Sequence, residues 1–125
     1  MRRGLIVGFP LWLVVVLLFR FAGNGLFVSP GAALTLFLLG GGVAALLALM
    51  LCRLVCEPGK VARFAAALAV PGLLLHTATT LLFGVVFPDL FFELAQVYAA
   101  FIMWIYALML SALLLFGDRV ARKAA

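Results

Sequence analysis

Charged side chains are scarce in this sequence. They make up 10% of its 125 residues, only four residues are acidic, and hydrophobic residues account for 69%. Soluble domains contain about 25% charged and about 45–50% apolar residues. A chain with so few charges cannot cover a globular surface with hydrated side chains, which excludes a soluble enzyme or a soluble binding domain. Lipid is therefore the expected solvent for most of its surface.

Residues that bind metals and cofactors are also few, since the chain has one histidine and two cysteines. A single histidine, His76, cannot supply two axial haem ligands, and the sequence has no visible serine–histidine–acid or metal-ligand set. Cys52 and Cys56 share one face of a predicted helix, but a metal site would need further ligands near them. We therefore expect two reduced cysteines, no metal, no cofactor and no enzymatic activity.

The basic residues mark the ends of long apolar runs. The net charge is +5, and eight of the nine lysines and arginines lie at such ends. These eight are Arg2, Arg3, Arg53, Lys60, Arg63, Arg119, Arg122 and Lys123. Under the positive-inside rule, loops rich in lysine and arginine stay in the cytoplasm. The pattern predicts a protein of the bacterial cytoplasmic membrane with both termini in the cytoplasm, and no binding to nucleic acid.

Four apolar runs are long enough to cross a bilayer, which takes about 20 residues in a helix. They cover residues 5–28, 32–55, 63–86 and 91–116. The predicted fold class is all-α: a polytopic membrane protein with four transmembrane helices in one bundle. The whole chain, residues 1–125, forms a single domain in this prediction, because no segment remains for a soluble one.

The connectors between these runs carry recognisable turn and cap residues. Ser29 is a favoured N-cap, and the proline after it suits the first turn of helix two. Gly59, preceded by proline, predicts a type II turn between helices two and three. Asp89 is the expected N-cap of helix four, and Gly117 its C-terminal stop.

Two further features predict how the helices pack and bend. Gly41 and Ala45 on helix two are spaced so that another helix can approach closely, either within the chain or in a homodimer. Pro71 should kink helix three, because proline removes a backbone hydrogen bond.

Polar side chains within or beside the apolar runs are expected to meet in the outer half of the membrane, because the helical rise places Arg20 and His76 at similar depths. The predicted cluster consists of Arg20, Asn24, His76, Thr79, Thr80, Asp89, Glu93 and Gln96. Its main contact would be an ion pair from Arg20 to Glu93 or Asp89. Alternatively, Arg20 extends to the outer headgroups and makes no such pair.

Two functions are compatible with this cluster. In the first, it fastens the helices together, with His76 neutral and bonded to a threonine. The protein would then be non-enzymatic and act as an accessory subunit of a larger membrane protein or as a homo-oligomer. In the second, the cluster serves a small-solute, ion or proton transporter or channel, because ionisable groups inside membranes often line such paths. A dry, fully bonded cluster favours fastening, and a hydrated cavity favours transport.

Four short segments resemble a known family. They are LFRFAG at residues 18–23, PGLLL at 71–75, VFPDL at 86–90 and WIY at 104–106. The chain is similar in these segments to an uncharacterised family, a domain of unknown function, of small bacterial four-helix integral membrane proteins. The resemblance implies four membrane spans and no assigned activity. It also implies an aspartate in other members where this chain has His76.

Overall fold

The computed structural model describes residues 2–26 and 29–124, and four long helices dominate it. They are α1 (Arg2–Leu26), α2 (Pro30–Val55), α3 (Val61–Leu81) and α5 (Leu94–Ala124), with one short helix, α4 (Phe83–Val86), between the last two. Each long helix is long and apolar enough to cross a membrane. The described part of the chain contains no strand. The predicted all-α fold with four membrane-spanning helices is confirmed, and the chain is a multi-pass membrane protein.

The helices do not pack in chain order. α1 packs mainly on α3, α2 packs mainly on α5, and α3 and α5 pack on each other. Gly41 explains how closely α2 and α5 approach, because a methyl group there would lie 2.8 Å from Trp104 Nε1. The Trp104 indole donates a 2.9 Å hydrogen bond to the carbonyl of Phe37 on α2. Glycine at position 41 therefore permits close packing within the chain, as its small-residue spacing predicted.

The ends of α2 follow the predicted cap and turn chemistry. Ser29 is the N-cap, with its hydroxyl accepting a 3.2 Å bond from the Ala32 amide, and Pro30 is the first helical residue. At the other end Gly59 has a φ of 81°, and the Lys60 amide bonds to the Glu57 carbonyl across the turn. A positive φ at this position is the feature that a type II turn requires, so this prediction is confirmed. The predicted end of helix one at residue 28 lies outside the described residues.

The third predicted helix, residues 63–86, is divided in two. α3 continues through Pro71 and ends at Leu81, Leu82 is a turn residue, and α4 adds one more turn. Near this end the hydroxyls of three threonines donate to the carbonyl four residues earlier in the helix. Bonds of this kind bend helices. The helix is interrupted after the threonines and continues through Pro71, where the predicted kink stays a prediction.

The fourth predicted helix, residues 91–116, has different limits at both ends. α5 begins at Leu94, so Asp89 lies in the connector between α4 and α5 (residues 87–93) and is not the N-cap of α5, which corrects the prediction. It also continues through Gly117 to Ala124, so Gly117 is not a stop. Gly117 has a packing role instead, because a methyl group there would lie 2.6 Å from Val61 Cγ1 on α3.

The core of the bundle is richest in aromatic rings near α4 and the connector between α4 and α5. We call five of them, each at most 2% exposed, the aromatic cluster: Phe19, Phe83, Phe87, Tyr98 and Phe101. Phe19 of α1 lies edge-on to Tyr98 of α5, with ring centroids 4.8 Å apart. Such pairs stabilise by about 0.5–1.5 kcal/mol beyond the area that they bury. The aromatic cluster thus joins α1, α4, the connector and α5.

Candidate functional site

His76 lies inside the bundle and is bonded to a tyrosine. Its side chain is 3% exposed, and its Nδ1 atom lies 2.6 Å from the hydroxyl of Tyr98, which is completely buried. The ring of Tyr106 packs edge-on against the imidazole, with centroids 5.9 Å apart. The sequence predicted a threonine as the partner of His76, and the structure corrects this to Tyr98. The two rings connect α3 to α5 by a hydrogen bond inside the aromatic core.

A second polar pair connects α3 to α1. The indole of Trp12 donates a 3.1 Å hydrogen bond to the hydroxyl of Thr79, which is one helical turn from His76. The Thr79 hydroxyl donates in turn to the carbonyl of Leu75, at 2.8 Å. Thr79 therefore uses its single proton within its own helix and accepts from the neighbouring one.

Thr80 lies beside these pairs but bonds within α3. Its hydroxyl donates to the backbone carbonyl of His76 at 2.8 Å, and Thr77 makes the same kind of bond to Leu73. Threonine can satisfy its hydroxyl in this way without water or a neighbouring helix. Thr79 is therefore the one of these three threonines whose side chain bonds to another helix.

Arg20 and Asn24 of α1 bond to backbone carbonyls of the α3–α5 connection. Arg20 Nη1 donates to the Val86 carbonyl at 3.1 Å, and Asn24 Nδ2 donates to the Asp89 carbonyl at 2.9 Å. The Val86 carbonyl lies where α4 ends, and the amide of Leu90 bonds to Phe87 instead. A carbonyl without a helical partner is costly in lipid. Arg20 supplies the missing donor.

The predicted ion pair of Arg20 with an acid is wrong. Asp89 and Glu93 both lie in the connector, and both are exposed, as is Gln96 at the start of α5. Within residues 2–26 and 29–124 the ion pair recorded is that of Lys60 with Glu57, at the other end of the bundle. Asp89 contacts α1 through its backbone carbonyl, which accepts the bond from Asn24. Because α5 begins at Leu94, both acids lie before the helix on which they were expected to face α1.

The eight predicted polar residues therefore do not form one cluster. His76, Thr79 and Thr80 lie together on α3, and His76 and Thr79 bond to neighbouring helices. Arg20 and Asn24 form a separate, exposed set with the connector. No described side chain buried in the bundle has a polar atom without a hydrogen-bond partner. The fully buried polar atoms of the described side chains are thus all hydrogen-bonded.

One groove reaches His76 from outside. It has a volume of about 220 Å³ and lies between α3 and α5. Its lining residues are Leu73, His76, Thr77, Thr80, Leu81, Ala99, Ile102 and Met103. Most of them are apolar, and Thr77, Leu81 and Met103 are exposed on the outer surface of the bundle. The groove therefore opens sideways, toward the lipid.

The described residues contain no group of three or more histidine, cysteine, aspartate or glutamate side chains that could hold a metal ion. Cys52 is buried and Cys56 partly buried, and both are free thiols. The Cys52 thiol lies 3.8 Å from the Gly117 carbonyl, so it acts in packing between α2 and α5.

Comparison with known proteins identifies the family. A model described as a family of unknown function, DUF5367, matches residues 27–119. The chain belongs to DUF5367. The DUF5367 match includes His76, Thr79 and Tyr98, whereas Trp12 and Arg20 precede it. No curated protein and no solved structure gave a significant match.

Sequence reasoning missed the partners that matter most in this DUF5367 chain, namely Trp12 and Tyr98. One signal could have found them. A tyrosine hydroxyl or an indole N–H buried in an apolar bundle needs a hydrogen-bond partner. With His76 as the chain's only histidine, an imidazole–tyrosine pair was a natural candidate. The position of α5 relative to α3 was needed to choose Tyr98 over Tyr106.

Proposed function

We propose that this DUF5367 protein is a non-enzymatic membrane protein that acts through contacts with another membrane protein or with copies of itself. Its internal polar residues then serve to hold the helices in place. The main support is the state of His76, whose Nδ1 atom is bonded to Tyr98 inside an aromatic core. An ionisable group used for transport needs water or substrate within reach.

The other polar contacts support the same proposal. Trp12 bonds to Thr79, and Arg20 and Asn24 bond to backbone carbonyls of the connection between α3 and α5. Each contact links elements that are far apart in the sequence, and each leaves the polar group less free to bind a solute. Hydrogen bonds between membrane helices contribute about 0.6 kcal/mol on average, with a maximum near 1.7. Together they favour one helix order over others.

The alternative is a small-solute, ion or proton transporter, and one observation favours it. The groove beside His76 gives this residue a route to the outer surface of the bundle. Its volume of about 220 Å³ is below the roughly 300–1,000 Å³ of ordinary small-molecule sites. The groove is also open toward lipid, so an acyl chain can fill it.

A flux experiment separates the two functions. The purified protein is placed in liposomes that contain a pH-sensitive dye, and proton movement is followed after pH steps of both signs. We expect no flux above that of empty liposomes. Flux that disappears in His76→Ala but persists in Thr77→Ala, a change in the same groove, would establish transport and refute the proposal.

Contacts with partners are tested in native membranes. A photo-reactive amino acid is placed at the exposed positions 42, 74 and 114, on three different helices, and at the buried position 113 as the control. We expect cross-linked products of defined mass from at least one exposed position and none from position 113. Products that equal a multiple of the chain mass indicate self-association. If every exposed position cross-links only to lipid, the proposal is wrong.

The proposed location is the bacterial cytoplasmic membrane, with both termini in the cytoplasm. The support is the placement of basic residues at one end of the bundle. Reporter enzymes that are active on only one side of the membrane, fused to each terminus in turn, test this orientation. Opposite results for the two termini would contradict it.

A further inference from the structure

Near its C-terminal end α5 makes three contacts, with the end of α2, the start of α3 and the turn between them. The Gly59 amide donates to Asp118 Oδ1 at 3.2 Å, and the Cys52 thiol lies 3.8 Å from the Gly117 carbonyl. Val61 packs closely on Gly117 as well. Three chain segments that carry basic residues are therefore held side by side at one end of the bundle.

Most of the basic side chains at this end have no acidic partner. Six of them are exposed: Arg53, Lys60, Arg63, Arg119, Arg122 and Lys123. Of the two acids in the same region, Glu57 pairs with Lys60 and Asp118 accepts the bond from Gly59. Within the described residues this leaves five cations without an ion pair. We call them the basic end: Arg53, Arg63, Arg119, Arg122 and Lys123.

The length of α5 indicates the depth of the three cations that it carries. Its 31 residues extend for about 46 Å, whereas the hydrocarbon core of a bilayer is about 30 Å thick. Because charged side chains are costly in hydrocarbon, the charged final turns of α5 are the part expected to extend into the headgroups. Arg122 and Lys123 follow Arg119 by three and four residues, which puts both of them beside Arg119 on the helix surface.

We propose that the basic end binds the phosphate groups of anionic phospholipids. Arginine forms bidentate hydrogen bonds with phosphate oxygens, and four of the five cations are arginines. Basic residues close to a membrane surface strengthen binding to anionic lipid by about fivefold each. The inference does not depend on the proposed function, since it concerns the membrane around the protein and not its protein partners.

Lipid retention measured by native mass spectrometry tests the proposal. The protein in neutral detergent is mixed with phosphatidylglycerol or phosphatidylcholine, and the bound lipids are counted. We expect preferential retention of phosphatidylglycerol that falls at least tenfold in the triple variant Arg119→Gln/Arg122→Gln/Lys123→Gln. The control is Lys60→Gln, which removes a cation that already has an acidic partner and should change retention by less than about twofold.

Two further arms keep the test decisive. If the triple variant does not fold, Arg53→Gln/Arg63→Gln and a salt titration of the unmodified protein replace it, and both should reduce phosphatidylglycerol retention. Inorganic phosphate at equal concentration should not displace the lipid, because a free anion lacks the apolar chains that hold a lipid beside the bundle. Equal retention of the two lipids, or displacement by phosphate alone, would overturn the proposal.

Discussion

Replacing Gly72 with alanine should destabilise the bundle by about 1–3 kcal/mol, the usual cost of overpacking a well-packed interior. Gly72 lies on α3 opposite Tyr106 of α5, and a methyl group at position 72 would overlap the tyrosine hydroxyl oxygen. Tyr106 is 8% exposed and packs against His76, so its ring has little room to move. The added carbon must therefore push the two helices apart.

The same geometry predicts a rescue. Without the hydroxyl oxygen, the next atom that the new methyl group meets is Tyr106 Cζ, at 3.0 Å, a distance that a shift of a few tenths of an ångström relieves. Gly72→Ala combined with Tyr106→Phe should thus be more stable than the sum of the two single changes predicts. We expect a coupling free energy of about 1 kcal/mol or more, in the range of residues in direct contact.

The double-mutant cycle compares four proteins: the unmodified protein, the two single variants and the double variant. Their stabilities in detergent are measured by unfolding them with heat or with a denaturing detergent. Gly42→Ala is the matched control, because a methyl group there has no atom within 4 Å outside its own turn of helix. It should leave stability unchanged or raise it slightly, since alanine favours helix over glycine. Equal losses at positions 42 and 72, or no coupling with Tyr106→Phe, would refute the packing argument.

Three further predictions concern the polar contacts. Tyr98→Phe should lower stability by about 1 kcal/mol in the same unfolding assay, because His76 then loses its partner inside the bundle; an unchanged midpoint would show that the bond contributes nothing. His76→Ala should lower the free energy of unfolding by roughly 2 kcal/mol or more, and Arg20→Ala by about 1 kcal/mol, because His76 is buried among rings whereas Arg20 is exposed. A lower melting temperature for Arg20→Ala than for His76→Ala would contradict this reasoning. Asp118→Ala should speed amide hydrogen exchange at Gly59, and Asp118→Asn, which retains an acceptor, should not; equal exchange in the two variants would count against a role for this bond.

The sequence was sufficient for the class of fold and for the local chemistry of the connectors. Hydropathy alone separates four spans. Each span is expected to be helical, because in lipid a helix satisfies the hydrogen bonds of its own backbone. Ser29 and Gly59 were predictable because caps and turns depend on a few adjacent residues. The limits of α5 were not predictable, because glycine near the end of an apolar run is typical of a helix C-terminus, whereas Gly117 lies within α5 and packs against Val61.

The polar contacts were predictable in part. His76 and Thr79 were correctly placed together, because they are one helical turn apart. Their partners depended on the order in which the helices pack, and that order does not follow the chain. Periodicity describes one helix at a time, so Trp12 and Tyr98 could not be assigned from it.

Arg20 shows why residue type alone is a weak guide to partners inside a membrane protein. An arginine within an apolar helix suggests an acid, because an unpaired charge is costly there. The sequence contained two acids in the right connector, yet Arg20 bonds to the Val86 carbonyl. The carbonyl is available because α4 ends there, one residue before the Phe87-Pro88 pair, and proline both lacks an amide proton and disfavours helix in the residue before it. The end of α4 thus provides the acceptor that the arginine needs, and the acids remain at the surface.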